Sequence, residues 1–123
     1  SMAKLSDIQI VFERFGLDAY IPDDRIVSGD LVRKPKPHRE AFDTAYHRLG
    51  VQATGNAKLD SLERKRVIGV DDSRGGVASA ASAGIFAVGI ASNMPAEAFR
   101  GSSAALVVPS LVAVKKTIEK HAA

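Results

Sequence analysis

The chain has 123 residues, of which 46% are hydrophobic and 25% are charged, a mixture typical of globular domains. It contains no cysteine, which excludes disulfides, thiolate chemistry and zinc sites built on sulfur. Its apolar stretches are far shorter than the ~20 residues that a membrane helix needs, so we expect a cytoplasmic protein with no membrane partner. The net charge of +3 is only a weak indication of anionic partners.

The first half of the chain predicts two helices, a short strand and two loops. Apolar residues recur at helical spacing near the start, where Ser6 or Asp7 is the expected N-cap and Gly16 the C-terminal stop. The expected helices cover 5–17 and 39–49, the strand covers 26–28, and a loop covers 30–38. The polar stretch 52–65 is expected to be a loop or a partly ordered insert.

The second half alternates strands with helices. The run from Val67 to Val70 is continuously apolar, as expected for a strand buried on both faces of a parallel sheet. The expected strands are 67–70, 86–90 and 105–108, and the expected helices are 77–83, one turn at 95–99, and 110–120. This alternation predicts a single α/β domain over 1–123, with an open parallel, Rossmann-like sheet in three layers.

Paired acids follow the first of these strands, in the run Asp71-Asp72-Ser73-Arg74-Gly75-Gly76. Ligands bind at the carboxyl ends of strands in α/β sheets, and Mg²⁺ is bound there by one or two carboxylates. The same residues also suit a simple helix start, with Asp72 or Ser73 as the N-cap. Both interpretations stay open on this motif alone.

A densely cationic loop, Arg33-Lys34-Pro35-Lys36-Pro37-His38-Arg39, lies upstream of the acids. One of its lysines could neutralise charge on a transferred phosphoryl group. A solvated basic loop and a nuclear-localisation-like patch are the alternatives.

The order and spacing of these two motifs resemble the haloacid dehalogenase superfamily, in particular its β-phosphoglucomutase and sugar-phosphatase branch. The residues that match its lysine motif are Val27-Ser28-Gly29-Asp30, Lys36-Pro37, Phe42 and Arg48-Leu49-Gly50-Val51. Those that match its metal motif are Asp71, Asp72, Ser73, Gly76, Ala80, Ala83 and Gly84.

The resemblance implies a role for each matched site residue. Lys36 would be the catalytic lysine that stabilises phosphoryl charge and contacts the substrate, and Lys34 is the alternative if the alignment slides by two residues. Asp72 and Asp71 would be the magnesium-site acids. The turn behind them, on the substrate side, would be formed by Ser73 and Gly76.

The family's nucleophile motif, aspartate-x-aspartate, does not occur in this sequence. The resemblance therefore implies the C-terminal part of the core, without the first two strands and the cap domain. The parent activity would be Mg²⁺-dependent hydrolysis or transfer of a phosphoryl group on a small phosphorylated metabolite. We expect this chain to be inactive alone, because the catalytic aspartate is absent.

Two other functions remain open at this stage. The chain could act through self-association, since the absent strand would leave an apolar sheet edge at Val67, Ile68 and Val70. We expect a homodimer joined at that edge or by exchange of elements, and re-pairing of the chain's own strands is the competing outcome. It could also be a basic nucleic-acid or phosphate-binding module that uses the loop 33–39. The aromatic content of 6%, with none of it in that loop, argues against nucleic acid.

Overall fold

The computed structural model describes residues 1–121, which form five α-helices and three β-strands. The helices are α1 (Leu5–Phe15), α2 (Glu40–Arg48), α3 (Ala57–Lys65), α4 (Arg74–Ser82) and α5 (Leu111–His121). The strands are β1 (Ile68–Asp71), β2 (Phe86–Ile90) and β3 (Leu106–Val108). Short 3₁₀ turns lie at Leu17–Ala19, Asp23–Arg25, Gly29–Leu31 and Ala96–Phe99. None of the described helices is both long and apolar enough to cross a membrane.

The three strands form one parallel sheet in the order β1-β2-β3. Val70 of β1 lies opposite Val88 of β2, which in turn lies opposite Leu106 of β3. The connections run through α4 and through the turn at Ala96–Phe99. All three strands predicted in the second half of the chain are therefore present within a residue or two of their expected bounds.

Helices cover both faces of the sheet. On one face, Val77 and Ala80 of α4 pack against Ala87 of β2 in a cluster that also contains Phe99, and α2 adds the partly buried Phe42. On the other face, a cluster of β2 and β3 side chains packs against α5. That cluster contains Val88, Ile90 and Val108 together with Ala113 and Val114. The predicted three-layer Rossmann-like α/β fold is confirmed.

The close packing of α4 on the sheet depends on small residues. A Cβ on Gly69 of β1 would come within 2.9 Å of Ala80 on α4 and 3.0 Å of the Phe42 ring, closer than side chains normally pack. Val77 and Ala80 are fully buried at this contact, and full burial of one valine stabilises the fold by about 1.5–3 kcal/mol. The glycine and alanines thus set the distance between helix and sheet.

Helix α1 ends as predicted, at Gly16 in the left-handed region with φ 68°. The expected N-cap was wrong: Lys4 occupies that position and makes no side-chain cap bond. Asp30 from the turn after the 26–28 segment replaces it, accepting the Leu5 N–H at 2.8 Å. A cap supplied from a distant residue carries no local sequence signal.

Two other element predictions in the first half were wrong. Residues 26–28 are extended and buried but pair with no strand among the described residues, because a strand exists only beside a partner. The segment 52–65 is not simply a loop, since it contains α3. Asn56 caps that helix by accepting the N–H groups of Lys58 and Leu59 at 3.1 and 3.2 Å.

The later helices follow the sequence closely. The helix expected over 77–83 begins earlier, at Arg74, because Ser73 caps it. The last helix begins after Ser110, whose Oγ accepts the Ala113 N–H at 3.2 Å as expected for a cap.

Candidate functional site

The candidate site lies at the carboxyl ends of β1 and β2. Asp71 ends β1 and is followed by Asp72, while Ser92 and Asn93 follow β2. A cleft of about 600 Å³ opens beside them, with Val70, Ile90, Leu111 and Val112 as its apolar wall and Asp71, Asp72 and Ser92 among its polar residues. This is the edge of a parallel sheet at which ligands generally bind.

Lys36 and Asp71 form an ion pair at the carboxyl end of β1. The Lys36 Nζ donates to Asp71 Oδ2 at 2.5 Å, and the side chains are 23% and 10% exposed respectively. The ammonium group also lies 5.5 Å from the centre of the Phe42 ring, within the range of a cation–π contact. The lysine and the acid are 35 positions apart in sequence, so the fold itself brings the two motifs together.

The remaining oxygen of Asp71 is held by Ser73. Both the Ser73 N–H and its Oγ–H donate to Asp71 Oδ1, at 3.0 and 2.7 Å. Burial raises the pKa of Asp71, but the hydrogen bonds from Lys36 and Ser73 and the lysine's charge outweigh it and hold the pKa below the ordinary 3.8. Asp71 is therefore ionised at neutral pH.

Ser73 and Gly76 shape the turn under the acid. The Ser73 Oγ accepts the Gly76 N–H at 3.0 Å and caps α4. A Cβ at Gly76 would overlap the Asp71 carboxyl group, so only glycine leaves room for it. The helix-start interpretation of this motif is correct, and the same contacts also fix the acid that holds Lys36.

The basic loop that carries Lys36 is held in place by side chains that hydrogen-bond to its backbone groups. Glu40 accepts two loop N–H groups, those of Arg33 at 2.9 Å and Lys34 at 2.8 Å. Ser79 of α4, which is fully buried, donates its Oγ–H to the His38 carbonyl at 2.5 Å. The Lys34 side chain is exposed, whereas the Lys36 side chain is partly buried against Asp71 at the end of β1.

Asp72 differs from Asp71 in its surroundings. It is exposed, and its Oδ2 accepts a hydrogen bond from Asn93 Nδ2 at 2.6 Å. Sequence reasoning missed Asn93, Ser79 and Glu40. Asn93 had one available signal, because it follows a strand whose carboxyl end lies at the same sheet edge as that of β1.

The donor set suits a cation that keeps most of its own water. Asp71 has both oxygens engaged and its charge offset by Lys36, so Asp72 is the acid better placed to hold Mg²⁺. No cluster of three histidine, cysteine or acidic residues that could hold a metal occurs in residues 1–121. Mg²⁺ is often held by one or two carboxylates with water and phosphate filling its other positions, and Asp72 beside the cleft fits that pattern.

No protein-family model matches this chain, and no curated protein matches it in sequence. Solved structures do match it in fold. A HAD hydrolase of family IA, variant 3, from Entamoeba histolytica HM-1:IMSS is 22% identical, with a TM-score of 0.72 over 96% of this chain and 51% of its own. A Thermotoga maritima protein assigned as a β-phosphoglucomutase is 24% identical, with a TM-score of 0.73 over 95% of this chain and 50% of its own.

These matches agree with the family resemblance in the sequence motifs. The chain spans about half the length of the solved structures that it matches, as expected for a partial core. Because the sequence identities are below 25%, the comparison establishes similarity of fold alone. The chain has the fold of haloacid dehalogenase (HAD)-type hydrolases over about half of their length.

Proposed function

We propose that this chain provides the charge-stabilising part of a site for Mg²⁺-dependent hydrolysis or transfer of a phosphoryl group on a small metabolite. The observation that carries the proposal is the Lys36–Asp71 pair at the carboxyl end of a parallel sheet, with the exposed Asp72 adjacent to it. Enzymes of phosphoryl transfer commonly combine a lysine that contacts the phosphates with an aspartate that holds Mg²⁺.

Lys36 would contact the transferred phosphoryl group. Its ammonium has three N–H donors, and the Asp71 contact uses one of them. The others can donate to phosphoryl oxygens, where negative charge spreads during transfer. Asp71 orients the lysine, and the ring of Phe42 supports it from one side.

Asp72 would hold the magnesium ion, with Asn93 fixing the orientation of the carboxylate. The bound ion would supply positive charge to the phosphate oxygens. The Asn93 amide leaves Oδ1 of Asp72 available, and oxygen ligands bound to a hard cation are commonly oriented by hydrogen bonds of this kind.

The attacking group is not among the residues placed at this site. The sequence contains no aspartate-x-aspartate motif, and the solved structures of this fold are about twice as long. We therefore expect the chain alone to bind phosphate and Mg²⁺ weakly and not to turn over phosphate esters.

The basic-module alternative has less support. Two of the four lysine and arginine side chains in the loop 33–39 are already in ion pairs, Lys36 with Asp71 and Arg39 with Asp43. Paired cations release fewer counterions when a polyanion binds, so they contribute less to nucleic-acid affinity.

Calorimetric titration of the protein with inorganic phosphate, in the presence and in the absence of Mg²⁺, tests the proposal. We expect phosphate binding that strengthens with Mg²⁺, and an affinity loss of about tenfold or more, roughly 1.4 kcal/mol, in Lys36→Ala. The matched control is Lys34→Ala, which changes an exposed lysine of the same loop and should bind like the parent. Equal affinities in all three proteins would contradict the assignment of Lys36.

The same titrations test the proposed Mg²⁺ site. Asp72→Asn should abolish the Mg²⁺ enhancement, while Asp24→Asn, an exposed acid on another turn, should preserve it. Turnover of an aryl phosphate by the chain alone, lost in Lys36→Ala, would show that a nucleophile is present after all.

A further inference from the structure

The two edges of the sheet differ in how they are protected from other strands. The β3 edge is three residues long and is followed at once by Pro109, and both features discourage further pairing. The β1 edge pairs with no other strand within residues 1–121. Neither a charge nor a proline interrupts Val67 to Val70, and Ile68 is 42% exposed. An apolar strand edge of this kind is a template for pairing.

Apolar clefts flank this edge on both faces of the sheet. On the α5 face, Val70 and Leu111 help to line the cleft of about 600 Å³. On the α2 face, Ala45 and Gly69 help to line a second cleft of about 160 Å³. Side chains alternate between the two faces along a strand, so an added strand would place successive side chains in one cleft and then in the other.

The charges at the ends of β1 indicate which strand fits. The exposed cations Lys65 and Arg66 precede the strand, Asp71 is its last residue, and the exposed Asp72 follows it. An antiparallel second copy of β1 would set the cations of each copy beside the acids of the other. A parallel copy would align like charges, which is destabilising.

We propose that two copies of this chain associate through antiparallel pairing of their β1 strands, forming a continuous six-stranded sheet. Pairing of two four-residue strands is small beside the roughly 1,000 Å² that a stable interface buries. The exposed side chains of Leu111 and Val112, at 67% and 61%, line the cleft beside the edge and supply further apolar contact. The proposal does not depend on the proposed phosphoryl chemistry.

Sedimentation at micromolar concentration tests the edge. The parent chain should sediment as a dimer, and Ile68→Lys should weaken association at least tenfold by placing a charge on the pairing strand. The control is Leu62→Lys on α3, a residue of similar exposure at 50%, which should leave the dimer intact. Circular dichroism establishes that both variants are folded. A monomeric parent would overturn the proposal and leave this edge for a different polypeptide.

A charge exchange tests the antiparallel orientation. Arg66→Glu sets acid against acid in a homodimer, and Asp72→Lys sets cation against cation, so each variant should be largely monomeric. Mixing the two variants should restore the dimer, because each end then faces its opposite charge. In a parallel arrangement the parent already aligns like charges at both ends, so each single variant would associate as the parent does. Failure of the mixture to associate, or unchanged dimers of the single variants, would overturn the proposal.

Discussion

Gly75 and Gly76 are adjacent in the first turn of α4 but have opposite surroundings. An added Cβ at Gly75 meets no atom within 4 Å, whereas one at Gly76 overlaps the carboxyl group of Asp71. The position of Asp71, and through it that of Lys36, therefore depends on the absence of a single methyl group.

Alanine substitutions at these two positions should have opposite effects. Gly76→Ala should destabilise the fold by about 1–3 kcal/mol, the usual cost of overpacking, because Asp71 must shift away from Ser73 and Lys36. Gly75→Ala should be neutral or stabilising by up to about 1 kcal/mol, since alanine favours a helix. Urea unfolding measures both. Equal effects of the two substitutions would contradict the crowding around Asp71.

The residues of the site were predictable where motif and spacing act together. Lys36, Asp71, Ser73 and Gly76 were chosen from sequence and lie in contact in the structure. Asn93 was not chosen, because a lone asparagine after a strand carries no motif. It reaches Asp72 only because β2 lies beside β1.

At the scale of elements, α3 is held by a cation rather than by an apolar face. Arg64 pairs with Asp43 of α2 at 2.5 Å, donates to the Ala83 carbonyl at 2.8 Å, and lies 4.5 Å from the centre of the Tyr46 ring. The leucines of α3, Leu59 and Leu62, are each 50% exposed. One arginine thus ties α3 to α2 and to the end of α4.

Two arginines near the end of α3 allow a matched comparison. Arg64→Ala should destabilise the fold by about 1.5–3 kcal/mol, the range for hydrogen bonds to charged groups, with further loss of its packing on Tyr46. Arg66→Ala should cost at most about 0.5 kcal/mol, because Arg66 is 77% exposed and its ion pair with Glu63 lies on the surface. Thermal or urea unfolding distinguishes them, and similar losses would contradict the anchoring role of Arg64.

The same contacts explain which elements the sequence predicted. The strands and α4 carry continuous apolar or alanine-rich runs, and they were predicted within a few residues. Helix α3 was interpreted as loop because it buries no apolar stripe, and its stabilising partner Asp43 lies 21 positions away. The 26–28 segment has the composition of a strand, but β character depends on a neighbour that local sequence does not specify.

For the whole molecule, stability in acid depends on carboxylates whose pKa values folding lowers. Asp43 is one: burial raises its pKa, but hydrogen bonds from Arg39 and Arg64 outweigh that and hold it below 3.8. Asp71 is the other partly buried acid whose pKa is lowered in the folded chain. Asp43 joins α2 to α3, and Asp71 joins the basic loop to β1. Protonation of these two acids therefore weakens contacts in both halves of the chain.

The pH dependence of unfolding should reveal the Asp71 contribution directly. Because its pKa is lower in the folded than in the unfolded chain, it stabilises the fold at pH values above the ordinary 3.8, and this stabilisation is lost as the pH falls through the folded-state value. At pH 7 the free energy of unfolding of Asp71→Asn should therefore be lower than that of the parent by about 1.5–3 kcal/mol. This difference between variant and parent should be smaller at pH 3. Lys36→Met should show the same narrowing, since it removes the other member of the pair. Urea unfolding of the three proteins between pH 3 and 7 measures this, and a gap that stays constant with pH would contradict the coupling of Asp71 to Lys36.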